Sequence, residues 1–189
     1  MFIETQATPN PATVKFLPGR TVMPSGTVDF GSPEAAEASP LASALFALGD
    51  VTGVFLGSDF ISVTRAEGGS EWRELKPQVL GIIVDHFAIG APLLSGNAAA
   101  ETAAETGIED DPETADIVAQ IRDLLETRIR PAVANDGGDI IYKGFREGVV
   151  YLQMQGACSG CPSSTATLKN GIENLLKYYV PEVTDVRAV

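Results

Sequence analysis

Two cysteines, Cys158 and Cys161, are the residues of this 189-residue chain best suited to chemistry, and the chain has no others. They form a C-x-x-C pair in a loop shaped by Gly156, Gly160 and Pro162. This spacing lets both sulfurs reach one metal ion or cluster from a single loop. As metal ligands the pair is incomplete, because a tetrahedral thiolate site or a metal–sulfur cluster needs about four protein ligands. A second chain related by a two-fold axis would supply the other two thiolates.

The same two residues leave other interpretations open. Cys158 and Cys161 could cycle between dithiol and disulfide as a thiol–disulfide oxidoreductase, although a β-hairpin leads into the motif where a thioredoxin-like site expects a βαβ unit. They could hold a zinc ion between two chains, since thiolates suit zinc as well as iron. They could also be inert buried cysteines. The sole histidine, His86, lies in the other half of the chain and does not complete the ligand set.

The elements around the pair are readable from local patterns. Strands are predicted over 140–145 and 149–155, and a helix over 163–179 carries an apolar stripe and starts beside Pro162, a residue suited to a first helical turn. Cys161 should lie at the N-terminus of that helix, where the helix dipole favours a thiolate. The nearest charged residues along the chain are Glu147 and Lys169, so little local charge is expected at the site.

A helix precedes this hairpin, and a turn connects the two. The helix begins around Asp111 and Pro112, and Pro131 should kink or end it. Asp136 and Asp139 resemble a pair of carboxylates for acid–base chemistry, but they flank two glycines. They therefore fit better as turn residues, with Gly137 or Gly138 at positive φ. His86, on a helix beside a phenylalanine, fits a core or surface helix residue better than a metal ligand.

The first half of the chain predicts strands and helices without visible chemistry. Strands are expected near 2–6, 13–17, 28–30, 51–57 and 60–64, with a helix start at Ser39–Leu41. A longer helix carries Leu75, Val79 and Ile83 on one face, and Pro77 suggests that it begins nearer Leu75 than Trp72. Helices packed on one sheet indicate an α+β sandwich.

Charged residues are distributed unevenly along the chain. Residues 91–116 hold seven acidic residues and no basic one, whereas residues 117–189 hold eight of each. A segment that repels itself and has few large apolar residues is a linker. The sequence therefore predicts an α+β protein of two small domains, 1–90 and 112–189, each with a mixed or antiparallel sheet packed by helices. An acidic flexible linker, 91–111, joins them.

Composition excludes several classes of function. The net charge of −12 and the lack of a basic run argue against binding nucleic acid or an anionic membrane. No P-loop, dinucleotide-binding motif or Ser/His/Asp triad can be assembled, so an enzyme of those classes is not expected. The first residues show neither the basic nor the apolar region of a signal peptide. The expected location is the bacterial cytoplasm, or the mitochondrial matrix where a presequence has been removed.

Two motifs resemble one family. The segment from Asp136 to Asp139, followed by a hairpin and the loop 156–164, resembles the C-terminal domain of NifU as found in Nfu-type iron–sulfur proteins. The opening segment 5–11, with Val14, Lys15 and Phe16, is similar to the N-terminal domain of bacterial and mitochondrial Nfu proteins. The resemblance covers nearly the whole chain apart from the linker.

The resemblance implies a non-enzymatic iron–sulfur cluster carrier. Cys158 and Cys161 match the family's cluster ligands, which implies a labile [4Fe–4S] cluster, or alternatively a [2Fe–2S] cluster, bridged between two chains. It implies a homodimer when the cluster is bound, an upstream assembly scaffold as source, and apo iron–sulfur proteins as recipients. For the first domain, two roles stand side by side: a folding or solubility module, and a docking surface for recipients.

Overall fold

The computed structural model describes residues 1–95, 110, 112–159 and 162–189 of the chain, with the side chains of 162–164 left out. The chain forms two compact units, Met1–Ala104 and Glu105–Val189, each with its own hydrophobic core. Both units combine helices with a sheet, which confirms the α+β class. Among the described residues, no helix has the length and apolar composition that a membrane crossing requires.

The first unit is built on a five-stranded antiparallel sheet of β1 (Glu4–Ala7), β2 (Thr13–Leu17), β3 (Val28–Phe30), β4 (Val51–Leu56) and β5 (Ile61–Arg65). The strand order in the sheet is β1-β2-β5-β4-β3. Its helices are α1 (Pro33–Ala36), α2 (Pro40–Phe46) and α3 (Trp72–Ile89). The Ser39 side chain accepts a hydrogen bond from the Ala42 N–H and so caps α2, at the helix start that the sequence predicts.

Helix α3 begins earlier than predicted. It starts at Trp72 and includes Pro77, so the expected start near Leu75 is wrong. The first turn is held by tertiary contacts: the Trp72 ring packs 6.4 Å from that of Phe16, and its Nε1 donates to the Pro11 carbonyl over 3.2 Å. These contacts offset the hydrogen bond that a proline cannot donate.

The packing of the first unit continues past residue 90. Leu93 and Leu94 pack against its core, and the Ser95 N–H donates to the Ala38 carbonyl over 2.7 Å. Residues 91–95, assigned to the linker by their charge pattern, therefore lie against the first unit. The rest of the predicted linker, apart from Asp110, lies outside the described residues.

The second unit has a three-stranded mixed sheet. Its elements are a 3-10 turn (Pro112–Thr114), helices α4 (Ala115–Leu124) and α5 (Arg130–Asn135) on either side of a π-helical turn (Leu125–Ile129), strands β6 (Gly138–Arg146) and β7 (Val149–Gly156), helix α6 (Pro162–Tyr179) and strand β8 (Asp185–Ala188). The strand order is β6-β7-β8, with β6 antiparallel and β8 parallel to β7. The predicted hairpin and the following helix are confirmed.

Of the two outcomes predicted at Pro131, a kink or an end of the helix, the end does not occur. The helix runs on to Asn135, and a π-helical turn directly precedes the proline. In that turn the Arg130 N–H donates to the Leu125 carbonyl, five residues back. The wider turn shifts the hydrogen-bond register just before Pro131, so that the chain accommodates the missing donor without breaking the helix.

Candidate metal centre

Cys158 lies where the sequence predicts, in the loop that leaves β7 and leads to α6. β7 ends at Gly156, and α6 begins at Pro162. Cys158 is buried, with 5% of its surface exposed, and belongs to the core of the second unit. Cys161 and Gly160 lie outside the described residues, and Cys161 directly precedes the first residue of α6 in the sequence. The two cysteines as a ligand pair therefore stay a prediction.

Hydrogen bonds hold the described part of the loop. The Ala157 N–H donates to the Gly137 carbonyl over 3.2 Å, which fastens the loop to the turn before β6. The Ser159 hydroxyl donates to the Gly156 carbonyl over 2.9 Å, and the Thr165 hydroxyl of α6 donates to the Cys158 carbonyl over 3.0 Å. The Cys158 carbonyl is thus tied to the following helix, and the residues on either side of Cys158 are tied to the turn before β6 and to the end of β7.

Gly138, the first residue of β6, lies directly against this loop. A Cβ atom at Gly138 would stand 2.7 Å from the Cys158 Sγ and 2.6 Å from the Gln155 carbonyl oxygen. Both distances are well below van der Waals contact, so only glycine lets the loop pack here. The preceding Gly137 has φ of 82°, which confirms the turn role predicted for these glycines.

Asp139 is a structural carboxylate. Only 3% of it is exposed, and its two oxygens accept hydrogen bonds from Nε and Nη2 of Arg130 at 2.8 and 2.7 Å. Arg130 also pairs with Glu126 at 2.6 Å, and these hydrogen bonds raise the pKa of its guanidinium against the opposing effect of burial. Asp136, by contrast, is exposed on the turn. The two aspartates do not form a carboxylate pair for acid–base chemistry.

Arg130 is a structurally important residue that was not predicted from the sequence. Its only signal in the sequence is a basic residue nine positions before an aspartate that follows two glycines, and this pattern is too common to support a prediction. The bidentate pair ties α5 to the start of β6 and so holds the turn on which the cysteine loop rests.

The Cys158 thiol stands in a less favourable electrostatic setting than its sequence neighbours indicate. Burial, together with the charges of Asp136 and Asp139, raises its pKa to about 12. The expectation of little local charge is therefore wrong, because the fold brings both carboxylates near the loop. A metal ion would have to displace the thiol proton, and metal coordination supplies the driving force for that loss.

The described residues do not complete a metal site by themselves. They contain no group of three or more His, Cys, Asp or Glu side chains that could hold a metal ion. His86 lies on α3 in the first unit, with its ring edge-to-face against Phe87 at 5.6 Å. It is buried, which lowers its pKa, and this agrees with its reading as a core helix residue. Of the loop residues that the structure describes, Cys158 is the one candidate ligand.

Comparison with known proteins shows which protein family the chain resembles. Residues 121–187 match the family model "NifU-like domain", and residues 3–90 match "Scaffold protein Nfu/NifU N terminal". The human protein named "NFU1 iron-sulfur cluster scaffold homolog, mitochondrial" is 50% identical over 189 residues, which are all of this chain and 72% of that protein. The protein of the same name from Drosophila sechellia is 52% identical over 191 aligned positions, covering all of this chain and 65% of that protein.

Both units thus match the two domains of one protein family, and this chain belongs to the Nfu family of NifU-like proteins. The family resemblance of the sequence is confirmed. A solved structure, that of the NifU-like protein from Saccharomyces cerevisiae, is similar with a TM-score of 0.46 and 22% identity, covering 50% of this chain and 85% of that chain.

Proposed function

We propose that this chain is a scaffold and carrier for iron–sulfur clusters and not an enzyme. In the proposal, Cys158 and Cys161 of two chains bridge one [4Fe–4S] cluster, with [2Fe–2S] as the alternative, and the cluster is the cargo that the protein passes on. The relatives named above are called iron–sulfur cluster scaffolds, which supports the general function. The single observation that carries the site is the placement of Cys158 in an anchored loop at the start of α6.

The donor set supports a bridged cluster. A cluster takes about four thiolate ligands, and one chain has only two cysteines. A second copy supplies the missing pair through the same loop, which is the arrangement that two-fold symmetry produces. Such a site comes apart when the dimer does, and a carrier must release its cargo.

The surroundings of Cys158 support cluster binding over thiol–disulfide exchange. Attack on a disulfide needs a thiolate, and burial and two carboxylates hold the Cys158 thiol in its protonated form. Metal binding provides its own driving force for deprotonation, whereas a redox catalyst does not have this help.

The partners follow from the carrier role. Apo iron–sulfur proteins accept the cluster, and an upstream assembly scaffold supplies it. The division into two domains joined by an acidic linker remains part of the proposal. Of the predicted linker 91–111, however, residues 91–95 lie against the first unit and Asp110 binds β6. The relatives' names place them in mitochondria, and a cytoplasmic location for this chain remains a prediction from its sequence.

Anaerobic reconstitution with ferrous iron and sulfide tests the proposal. The protein is then separated by size-exclusion chromatography, and iron, acid-labile sulfide and zinc are assayed across the peak. We expect roughly four iron and four sulfide per two chains, in a peak of twice the iron-free mass. Cys158→Ser and Cys161→Ser should each abolish loading, while Gln120→Ala, a change at an exposed position on α4 that leaves the cysteine loop intact, should retain it.

Transfer is tested by adding an apo [4Fe–4S] enzyme and measuring its activity over time. A colourless monomer whose Cys158–Cys161 disulfide is reversed by a mild reductant would establish the thiol–disulfide reading in its place. Zinc in the dimer peak, without sulfide, would establish a zinc-bridged dimer.

A further inference from the structure

On the outer edge of β6, two carboxylates accept hydrogen bonds from backbone N–H groups. Among the described residues, β6 pairs with β7 on one side only. Alternate N–H groups of such an edge strand point away from the sheet. A bulge between Tyr142 and Gly144 shifts this alternation by one residue, so that Ile140 before it and Phe145 after it both face outward.

Each of these two N–H groups donates to an aspartate. The Ile140 N–H donates to the Asp139 Oδ1 over 2.8 Å, and the Phe145 N–H donates to the Asp110 Oδ1 over 2.9 Å. The opposite edge of the sheet, on β8, shows the same device, since the Val186 N–H donates to the Asp185 Oδ1 over 2.9 Å. Hydrogen bonds at these outward positions make the edge a poor template for pairing with another strand.

Asp110 differs from the other two because it comes from outside the strand, at the end of the acidic segment. Its carboxylate also accepts a hydrogen bond from the Tyr142 hydroxyl at 2.6 Å and lies 3.9 Å from the Arg122 guanidinium. Arg122 stacks on the Tyr142 ring, with its Cζ 4.6 Å from the ring centroid. The hydroxyl, the amide and the guanidinium thus form a carboxylate-binding site on the edge of β6.

We propose that Asp110 occupies this site and acts as a strap. It prevents another strand from pairing with the outer edge of β6, so that two chains associate through the cysteine loop instead. The inference rests on the proposed cluster-bridged dimer. Two copies paired edge to edge about Tyr142 would hold their Gly138 residues about 27 Å apart, at a strand rise of ~3.4 Å per residue. Because Gly138 adjoins Cys158, the two loops could not share one cluster, whose thiolate–metal bonds are about 2.3 Å long.

The test uses the full chain, reduced and free of iron, so that its result does not depend on cluster binding. Asp110→Ala removes the strap, and Asp116→Ala is the matched control, since it removes the same charge from an exposed position on α4. Hydrogen exchange of the Phe145 amide should be about tenfold or more faster in Asp110→Ala than in wild type or Asp116→Ala. Size-exclusion chromatography with light scattering, over a series of concentrations, should show self-association of Asp110→Ala alone.

A second variant guards against loss of folding. Tyr142→Phe keeps the ring and the stacking of Arg122 but removes the hydroxyl that holds Asp110, so it should show the same two effects in smaller measure. Unchanged exchange at Phe145 in folded Asp110→Ala overturns the strap. Faster exchange without self-association overturns the role assigned to it in directing how two chains meet.

Discussion

Gly138 and Cys158 lie so close that a single added methyl group on Gly138 would come within 2.7 Å of the Cys158 sulfur. The relationship joins the glycine turn before β6 to the candidate ligand after β7, across the hairpin. It makes the position of the thiol depend on a residue that cannot itself bind a metal.

Gly138→Ala should therefore displace the cysteine loop and destabilise the second unit. Its Cβ would also stand 2.6 Å from the Gln155 carbonyl oxygen, which is backbone and cannot swing away. Overpacking of this kind costs about 1 to 3 kcal/mol of the free energy of unfolding. Urea denaturation measures the loss, and reconstitution measures the accompanying fall in bound iron.

Gly171→Ala is the control for that variant. Nothing lies within 4 Å of a Cβ at Gly171, which is exposed on α6, so alanine should stabilise the helix by about 0.5 to 1 kcal/mol. Equal effects of the two substitutions would show that the close approach at Gly138 has no consequence in solution.

Arg130→Met should leave the buried Asp139 carboxylate without its bidentate partner. Removing one member of a buried ion pair costs about 3 to 5 kcal/mol, and the low end is expected because 31% of the Arg130 side chain is exposed. Denaturation of the variant measures the loss. Glu126→Gln, which removes only the exposed partner of Arg130, should cost less than about 0.5 kcal/mol.

The double variant Arg130→Met with Asp139→Asn separates charge from packing. Because it removes both charges, it should be more stable than Arg130→Met alone. A double variant that is less stable than either single variant would mean that the pair does not act as a charge pair.

Cys158 should react slowly with iodoacetamide in the folded, iron-free protein. Its sulfur is buried and its pKa is raised to about 12, so at about pH 8 the thiolate is a minute fraction of the population. The measurement uses Cys161→Ser, so that one thiol reports, and follows alkylation by mass spectrometry. The rate should keep rising with pH beyond the ordinary thiol pKa of about 8.5, whereas a plateau near that value in the folded protein would contradict the burial of the thiol.

His86 should make the first unit sensitive to mild acid. Burial lowers the pKa of His86, so the folded chain resists a proton that the unfolded chain accepts. Stability from this source is present above about pH 6.5 and declines as the pH falls below it.

The measurement compares wild type with His86→Gln by urea denaturation at about pH 7.5 and about pH 5.5. Any advantage of wild type over the variant should be smaller at the lower pH, because glutamine does not titrate. A difference between the two proteins that stays constant with pH would show that His86 does not titrate with unfolding.

Local sequence patterns determined much of the secondary structure of this protein. Strand alternation, helical stripes and capping residues depend on neighbours within a few positions, so the hairpin of β6 and β7, the cap at Ser39 and the loop position of Cys158 could be read directly. The glycine turn and the C-x-x-C pair are also local motifs, and together they indicated the protein family.

Only the tertiary structure shows the ion pairs and hydrogen bonds between residues that are distant in sequence or lie on different elements. The pairing of Arg130 with Asp139, and the bonds from Asp110 to Tyr142 and Phe145, exist only because a helix and a chain segment pack against the start and middle of β6. The burial and raised pKa of Cys158 have the same origin. Desolvation and charge act through space, and a one-dimensional pattern does not contain the distances on which they depend.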